Sequence, residues 1–455
     1  MARAKKETAL TPEERLQAAL VPDWEWPYKL PENWCWTTVG AINQYVGISA
    51  DPTKAKNKTF ELYSVPSSAD NYPEIVLGAD IGSTKQSVKK GDVLLCKINP
   101  RINRVWKVSK YTDHSLLASS EWIVIRNSGL ISNYLMWCFR SPYFRGYMLS
   151  NVSGVGGSLM RAQPKFVQGY PVPVPPLAEQ QRIVDRIESL FTKLDEAKEK
   201  AQTVVDSFET RKAAILHKAF TGELTAKWRE EHDVGMESWE KKSVDELCIS
   251  LKYGTAKKSD ASGSVVVLRM GNLQQGEIDW SDLAYSNDPD DIEKYKLFPG
   301  DVLFNRTNSA ALVGKTAIYR GEHPAIYAGY LIKLDYDHNK IIGDYLNYAL
   351  NTLDAKKYCN SVKTDGVNQS NINAKKIGAY SFNVPGIPEQ EKIVSVIQKL
   401  LSKEQQSKAA AEAVLDQIDL MKKSILARAF RGELGTNDPS EESAVELLKE
   451  IIRRG

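Results

Sequence analysis

One stretch of this chain occurs twice. Residues 179–224 reappear as residues 389–434, displaced by 210 positions without a gap, and 19 of the 46 aligned positions are identical. Each copy follows a globular stretch of its own, so the chain is constrained to a doubled architecture with internal pseudo-twofold symmetry.

Each copy is periodic. In the first, Ile183, Ile187, Leu190, Leu194, Ala197, Ala201, Val204, Phe208 and Ile215 recur in alternating steps of four and three, with Arg211 the one polar residue in the seam. That is the spacing of a coiled-coil heptad. Because 210 is a multiple of seven, the second copy keeps phase through Ile393, Ile397, Leu400, Ser407, Ala411, Val414, Ile418, Met421 and Ile425, and Glu404 breaks it where the first copy has Leu194. Each helix is predicted to begin after a proline (Pro176, Pro388) and to fade before a glycine (Gly222, Gly432). About 40 residues at 1.5 Å each make a rod of roughly 60 Å. The first rod leaves one globular stretch and arrives at the other, and the second must return, so the expected pairing is antiparallel.

Composition narrows the class. The five cysteines, Cys35, Cys96, Cys138, Cys248 and Cys359, lie far apart without a Cys-x-x-Cys, which reads as a reducing compartment. No apolar run reaches the roughly 18 residues that span a bilayer, and Met1-Ala-Arg-Ala-Lys-Lys-Glu has no apolar signal core. The expected location is the cytoplasm. Net charge is +3, unevenly placed: residues 30–177 hold sixteen Lys/Arg against nine Asp/Glu, and residues 238–387 hold eighteen of each. A basic first domain favours a polyanion.

The two globular stretches share landmarks. Each opens on a Trp and a short helical segment (Trp34 to Val39; Trp239 to Val244), and each has a Gly-Asp turn into an apolar strand, at 89–96 and 298–305. After the strand the chain becomes rich in Asn and Arg, the side chains that pair with base edges. In the first stretch the candidates are Lys97, Asn99, Arg101, Asn103 and Arg104; in the second they are Asn305, Arg306 and Asn308, with Asn272, Gln274 and Lys315 nearby in sequence. A late polar loop follows at the same displacement, contributing Ser158, Arg161 and Lys165 to the first, and Lys363, Asn368, Gln369, Asn371 and Lys375 to the second. Catalytic patterns fail. Gly314-Lys315-Thr316 lacks the upstream glycine of a phosphate loop, since Ser309 stands there. Asn99-Pro100 lacks the rest of an amino-methyltransferase motif, and the five histidines form no cluster. No catalytic residue and no metal site is expected.

The segments 171–184 with 219–224, and 384–394 with 429–434, carry a proline-rich junction, Glu-Gln, a long helix and Ala-Phe-x-Gly-Glu-Leu. In this doubled order they resemble the specificity subunit of type I restriction-modification enzymes. The resemblance implies an α+β protein: two mixed α/β target recognition domains (30–177 and 238–387) at opposite ends of a long antiparallel two-helix coiled coil (178–224 and 388–434). An N-terminal extension (1–29) with a short helix capped at Thr11-Pro-Glu-Glu14, a linker (225–237) and a C-terminal helix (435–455) complete the expected order, and the resemblance implies a prokaryotic source. It implies a non-catalytic reader of a split, asymmetric site in double-stranded DNA, with the helices setting the unread spacer. The implied partners are two methyltransferase subunits and two translocase-nuclease (restriction) subunits, which would hold S-adenosylmethionine, ATP and magnesium. Two other readings are a recognition subunit of a different methyltransferase-type phage-defence system, and a structural adaptor whose end domains bind proteins.

Overall fold

The two ends of each globular stretch meet. Cys35–Thr38 pairs antiparallel with Pro171–Val174, and Glu240–Ser243 pairs antiparallel with Ser381–Val384. The computed structural model describes residues 11–154, 160–367 and 369–454. It falls into unit 1, Met1–Lys200 with Val414–Gly455, and unit 2, Ala201–Ala413. Each unit is mixed helix and sheet, as the α+β expectation has it.

In unit 1 a five-stranded sheet runs Ser49–Ala50, Lys85–Ser87, Ser115–Ala118, Thr59–Tyr63, Glu74–Leu77, with its Thr59–Tyr63 and Ser115–Ala118 strands parallel. A three-stranded sheet centres on Val93–Cys96, and the helices Ser132–Arg140 and Pro142–Ser150 follow. In unit 2, Val302–Asn305 lies inside a four-stranded sheet between Leu331–Tyr336 and Thr316–Ile318, and the helices Gly343–Leu350 and Leu353–Val362 follow. The Gly-Asp turns serve folding in both. Gly91 (φ 94°) and Gly300 (φ 99°) adopt left-handed backbone that favours glycine. Asp92 then accepts the Lys89 N–H at 2.8 Å and pairs with Arg126 at 2.6 Å, while Asp301 accepts the Phe298 N–H at 2.9 Å and pairs with Lys333 at 2.7 Å.

The repeated Glu-Gln fastens each long helix to its domain. The buried Gln180 accepts the Ile131 N–H at 3.0 Å and donates to the Pro175 carbonyl at 3.0 Å. Gln390 repeats both contacts with Ile342 (3.0 Å) and Pro385 (2.9 Å), and adds the Lys340 carbonyl. Buried amides must be satisfied, and here each also satisfies the N–H just ahead of a helix. Glu179 accepts the Thr436 hydroxyl at 2.6 Å, and Glu389 accepts the Thr225 hydroxyl at 2.6 Å. Burial is the leading influence on the Glu179 carboxyl and pushes its pKa up. The end of the other helix copy then packs against the domain: Phe430 lies 5.4 Å from Tyr134, and Phe220 lies 4.9 Å from Tyr345.

The helices depart from expectation in three places. The first copy is Leu177–Asp206 followed by Phe208–Phe220, interrupted at Ser207, whereas the second runs unbroken as Ile387–Ala429. The Ser207 hydroxyl bonds back to the Thr203 carbonyl, and Arg211 Nη2 donates to the Val204 carbonyl at 3.1 Å, competing for the acceptor that Phe208 would use. The second helix begins at Ile387, which places Pro388 inside its first turn, where the missing N–H costs nothing.

The third departure concerns the seam. Ile183, Ile187, Phe208, Ile393, Ile397 and Ile418 are buried, and Leu190, Leu194, Val204, Ile215, Leu400 and Ile425 are half-buried. Val414 and Met421, expected inside, are 39% and 48% exposed, and Leu415 and Lys422 turn inward instead. A straight helix drifts about 20° per heptad, so four heptads past Ile393 the face has passed from position 421 to position 422. The period is nearer 3.6 than 3.5 here. Pairing runs antiparallel within each unit. In unit 1, Lys422 meets Asp195 and Phe191, and Asp419 meets Lys198. In unit 2, Glu404 meets Arg211 at 2.5 Å, and Lys408 lies over Phe208. The two seam residues that broke the apolar pattern, Arg211 and Glu404, are therefore partners.

The terminal segments pack together in unit 1. Helix Pro12–Ala19 opens on a Thr11/Glu14 capping box, and helix Ala444–Arg454 buries Ala444, Leu448 and Ile451 in the same core. Gly129 has no room for a side chain because Ile451 occupies its Cβ position. Residues 225–237, expected as a linker, contain the helix Ala226–Glu231, whose buried Arg229 pairs with Glu389 at 2.7 Å.

Candidate nucleic-acid interface

In unit 1 the chain leaves Val93–Cys96 and makes one tight turn, Pro100–Ile102, between Asn99 (φ 47°) and Asn103 (φ 52°). Both asparagines take left-handed backbone, which Asn tolerates better than most residues. This loop is knitted to the late one. Asn99 N–H donates to the Met160 carbonyl at 2.8 Å, and Ala162 N–H donates to the Lys97 carbonyl at 2.8 Å. Two segments about 60 residues apart in sequence thus share one edge. On it Arg101 and Lys165 are exposed, and Lys97, Asn99 and Arg104 are half-buried. Asn103 donates to the Arg140 carbonyl at 3.2 Å, and Arg161 pairs with Glu121 at 3.3 Å. Burial, opposed in part by Arg104, pushes the Cys96 thiol up in pKa, so this cysteine stays a neutral core residue. Ser158 lies outside the described residues.

Unit 2 brings its early and late loops together as a small sheet. Thr307–Asn308 pairs with Ser370–Asn371, which pairs with Thr364–Asp365. Arg306 is the hub. Its guanidinium donates to the Gly329 carbonyl at 3.2 Å and to Asn371 Oδ1 at 3.4 Å, and it lies 4.8 Å from the Tyr253 ring centroid. Asn371 donates onward to the Thr307 hydroxyl at 2.7 Å, and Tyr253 accepts the Ala374 N–H at 2.9 Å. Arg306 therefore holds three loops in place more than it projects to a partner. Asn308 is half-buried, while Gln369 and Lys375 are exposed. Lys363 donates to the Ala310 carbonyl at 3.0 Å, and Lys315 donates to Gln274 at 2.8 Å.

Two candidates belong to the fold instead. Asn272 is buried, accepts the Arg269 N–H and donates to the Asp279 and Asp282 carbonyls, each at 2.8–2.9 Å. Asn305 is fully buried beneath the Met270 carbonyl. Their amides stabilise turns and cannot reach a base edge. Asn368 lies outside the described residues.

Several residues were missed from sequence. A cleft of about 750 Å³ in unit 2 is lined by Lys257, Lys258, Arg269, Arg306, Thr307 and Tyr330, among others. Hydrogen bonding to Asp288 raises the Lys257 pKa, and Arg269 pairs with Asp282 at 3.0 Å. Lys258 has no ion-pair partner among the described residues. In unit 1 the exposed Lys54, Lys56 and Lys58 crowd one loop. Alternating lysines at 54, 56 and 58 were visible in sequence as a basic cluster, whereas Tyr330 and Arg269 carried no local signal. What these surfaces offer is positive charge with amide, guanidinium and aromatic groups, and among the described residues no group of metal-ligating side chains accompanies them.

Residues 236–413 match the family model described as the type I restriction modification DNA specificity domain. The chain is 26% identical over 331 residues to the type I restriction enzyme StySPI specificity subunit of Salmonella potsdam, covering 70% of this chain and 71% of that one. It is 27% identical over 346 residues to the EcoKI specificity subunit of Escherichia coli K12, covering 72% and 73%. Among solved structures, the HsdS subunit from Thermoanaerobacter tengcongensis aligns with a TM-score of 0.63 at 22% identity, over 90% of this chain and all of that one. A chain from a study of complex assembly and conformational transition of the type I R-M system aligns with a TM-score of 0.71 at 21% identity, with the same coverage. At that identity the structural likeness concerns the fold.

Proposed function

We propose, from its similarity to type I restriction enzyme specificity subunits, that the chain is the sequence-specific DNA-recognition subunit of such a complex. Each globular domain reads one half of a split, asymmetric site. The two long helices pair along their length as one antiparallel coiled coil, set the unread spacer and dock two methyltransferase subunits, to which two translocase-nuclease subunits are added. S-adenosylmethionine, ATP and magnesium belong to those partners, and this chain does no chemistry itself.

The observation that carries the reading is the recurrence, in both units, of an early and a late polar loop joined edge to edge, with Asn, Arg and Lys on the joined surface. Phosphate contacts from exposed lysines such as Lys375 and Lys54 would position the duplex, and loop side chains such as Asn308, Gln369 and Arg101 would meet base edges. The test is domain exchange. Replacing residues 238–387 with the corresponding domain of a relative, and mapping methylation by the reconstituted complex, is expected to change one half-site and leave the other. A change in both halves overturns the assignment of one domain to each. Deleting one heptad from both helices is expected to shorten the spacer by about three base pairs, since seven residues span roughly 10 Å. An unchanged spacer removes the helices as its determinant.

A further inference from the structure

Helix Ile387–Ala429 has one exposed side that carries no charge. Positions 406, 409, 410, 413, 414, 417, 420, 421 and 424 recur in steps of three and one, which on a single continuous helix puts them on one side over roughly 27 Å. They are Ala409, Ala410, Ala413, Val414, Leu420 and Met421, with Gln406, Gln417 and Ser424 as the polar members, and every one is exposed. Val414, Leu420 and Met421 are 39%, 63% and 48% exposed. The charged residues of the same span, Lys408, Glu412, Asp416, Asp419, Lys422 and Lys423, all lie off this side.

The outward side of a solvated helix normally carries charge, and the first copy of the repeat obeys that rule. At the displacement of 210 residues it has Glu196, Glu199, Lys200 and Arg211 where the second copy has Gln406, Ala409, Ala410 and Met421, and Thr210 where the second has Leu420. The drift that turns Val414 and Met421 out of the seam adds them to a side already free of charge.

Both ends of this side are basic. Lys399 and Lys403 precede it and Arg428 follows it at helical spacing, all exposed, and none of the three has an ion-pair partner among the described residues. These cations select the occupant. A second copy of the chain would set Lys403 against Arg428 if the helices ran antiparallel, and like residues against each other if they ran parallel, so either self-pairing opposes cation to cation. A lipid surface needs larger apolar anchors than a stripe with three alanines and no aromatic ring provides. A helix with an apolar stripe and carboxylates in its first and last turns meets both the uncharged middle and the basic ends.

We propose that this side of the second helix docks one amphipathic helix of a partner protein, acidic at both ends and bound once per chain. The pseudo-twofold symmetry supplies docking surfaces in pairs, and this one is single because the first copy has no equivalent. The probe is a fluorescent synthetic helix of about 20 residues, with leucine and alanine along one face and glutamates on that face in its first and last turns, titrated into the full chain. Saturable one-to-one binding is expected, at least tenfold weaker when the peptide glutamates are replaced by lysines. It is also expected to be at least tenfold weaker to the chain with Leu420→Lys and Met421→Lys, whose exposed positions should leave the thermal midpoint unchanged. Thr210→Lys, at the matching place in the first copy, should leave binding as it is. Absence of saturable binding overturns the proposal, as does a stoichiometry of two peptides per chain, or binding that Leu420→Lys with Met421→Lys leaves intact. Self-association of the full chain that the same double variant abolishes would also overturn it, by making a second copy the occupant.

Discussion

The two units fasten the same buried glutamate with different hands. In unit 2, Glu389 receives the Arg229 guanidinium (2.7 Å), the Thr225 hydroxyl (2.6 Å) and the Trp239 indole (2.9 Å), and Arg229 is itself buried. In unit 1, Glu179 receives the Thr436 hydroxyl and an Arg182 that is shared with Glu441 and partly open to solvent. The corresponding Trp34 turns to Asn437 at 3.0 Å instead. The repeat keeps the acceptor and lets the donors vary. What must be preserved is a satisfied buried carboxylate where helix meets domain, and several sets of donors meet that demand.

The sharpest way to break this comparison is to remove the acceptors. Glu389→Ala strands a buried guanidinium and is expected to destabilise by about 3–5 kcal/mol. Glu179→Ala leaves Arg182 its bond to Glu441 and is expected to cost about 1–3 kcal/mol. Denaturant unfolding followed by hydrogen exchange within each unit measures both, and equal losses would show that the different donors do not matter. The amides next door should behave alike. Gln180→Ala and Gln390→Ala each orphan a backbone N–H, of Ile131 and of Ile342, and each is expected to cost about 1–3 kcal/mol. A large difference between them would mean that the third contact of Gln390, to Lys340, carries its role.

These contacts explain how much the sequence could tell. The doubled Glu-Gln, the phase of the helices and the Gly-Asp turns are local patterns, and local patterns survive translation into structure. The seam did not survive beyond about three heptads, because small angular drift accumulates along a straight helix and moved Val414 and Met421 out of it. Arg211 and Glu404 each looked like a flaw, since a pairing between distant positions is invisible to a reading of one helix at a time. The candidate interface was legible as two loops that the fold joins, but not as side chains. Asn272 and Asn305 have the chemistry of base readers and are spent on turns, and Arg269 and Tyr330 reach the cleft from strands and loops with no motif around them. The terminal helices were seen and given no role, because their partner is each other.

A smaller effect separates positioning from contact in the interface. Arg306→Ala removes the hub between the loops at 306–308, 329–330 and 370–374. If unit 2 reads one half-site as proposed, the variant is expected to weaken DNA binding of the reconstituted complex by about 1–3 kcal/mol, with relaxed preference across that half-site. Lys375→Ala should weaken all sequences alike and flatten the salt slope by about one unit. Selection from a randomised duplex library distinguishes them. Relaxation confined to one base position would make Arg306 a direct reader rather than a positioning residue.

The smallest expected effect lies in the seam, where the units again differ. Unit 2 has Arg211 against Glu404, and the equivalent positions of the other helix copies are Met421 and Leu194. Both charged groups are roughly a quarter to a third exposed, so solvent screens the pair and it contributes less than a buried bridge. Glu404→Leu alone leaves Arg211 with the Val204 carbonyl and Ser207, and is expected to cost about 1 kcal/mol. Arg211→Met with Glu404→Leu replaces both charged partners by apolar side chains and is expected to restore stability to within about 0.5 kcal/mol of the parent, because replacing both partners costs little. It also removes the donor that competes for the Val204 carbonyl. The helix break at Ser207 should then tighten, seen as slower amide exchange at Phe208. If the double variant is less stable than either single one, the pair sets the alignment of the two helices in unit 2 and its role is register rather than energy.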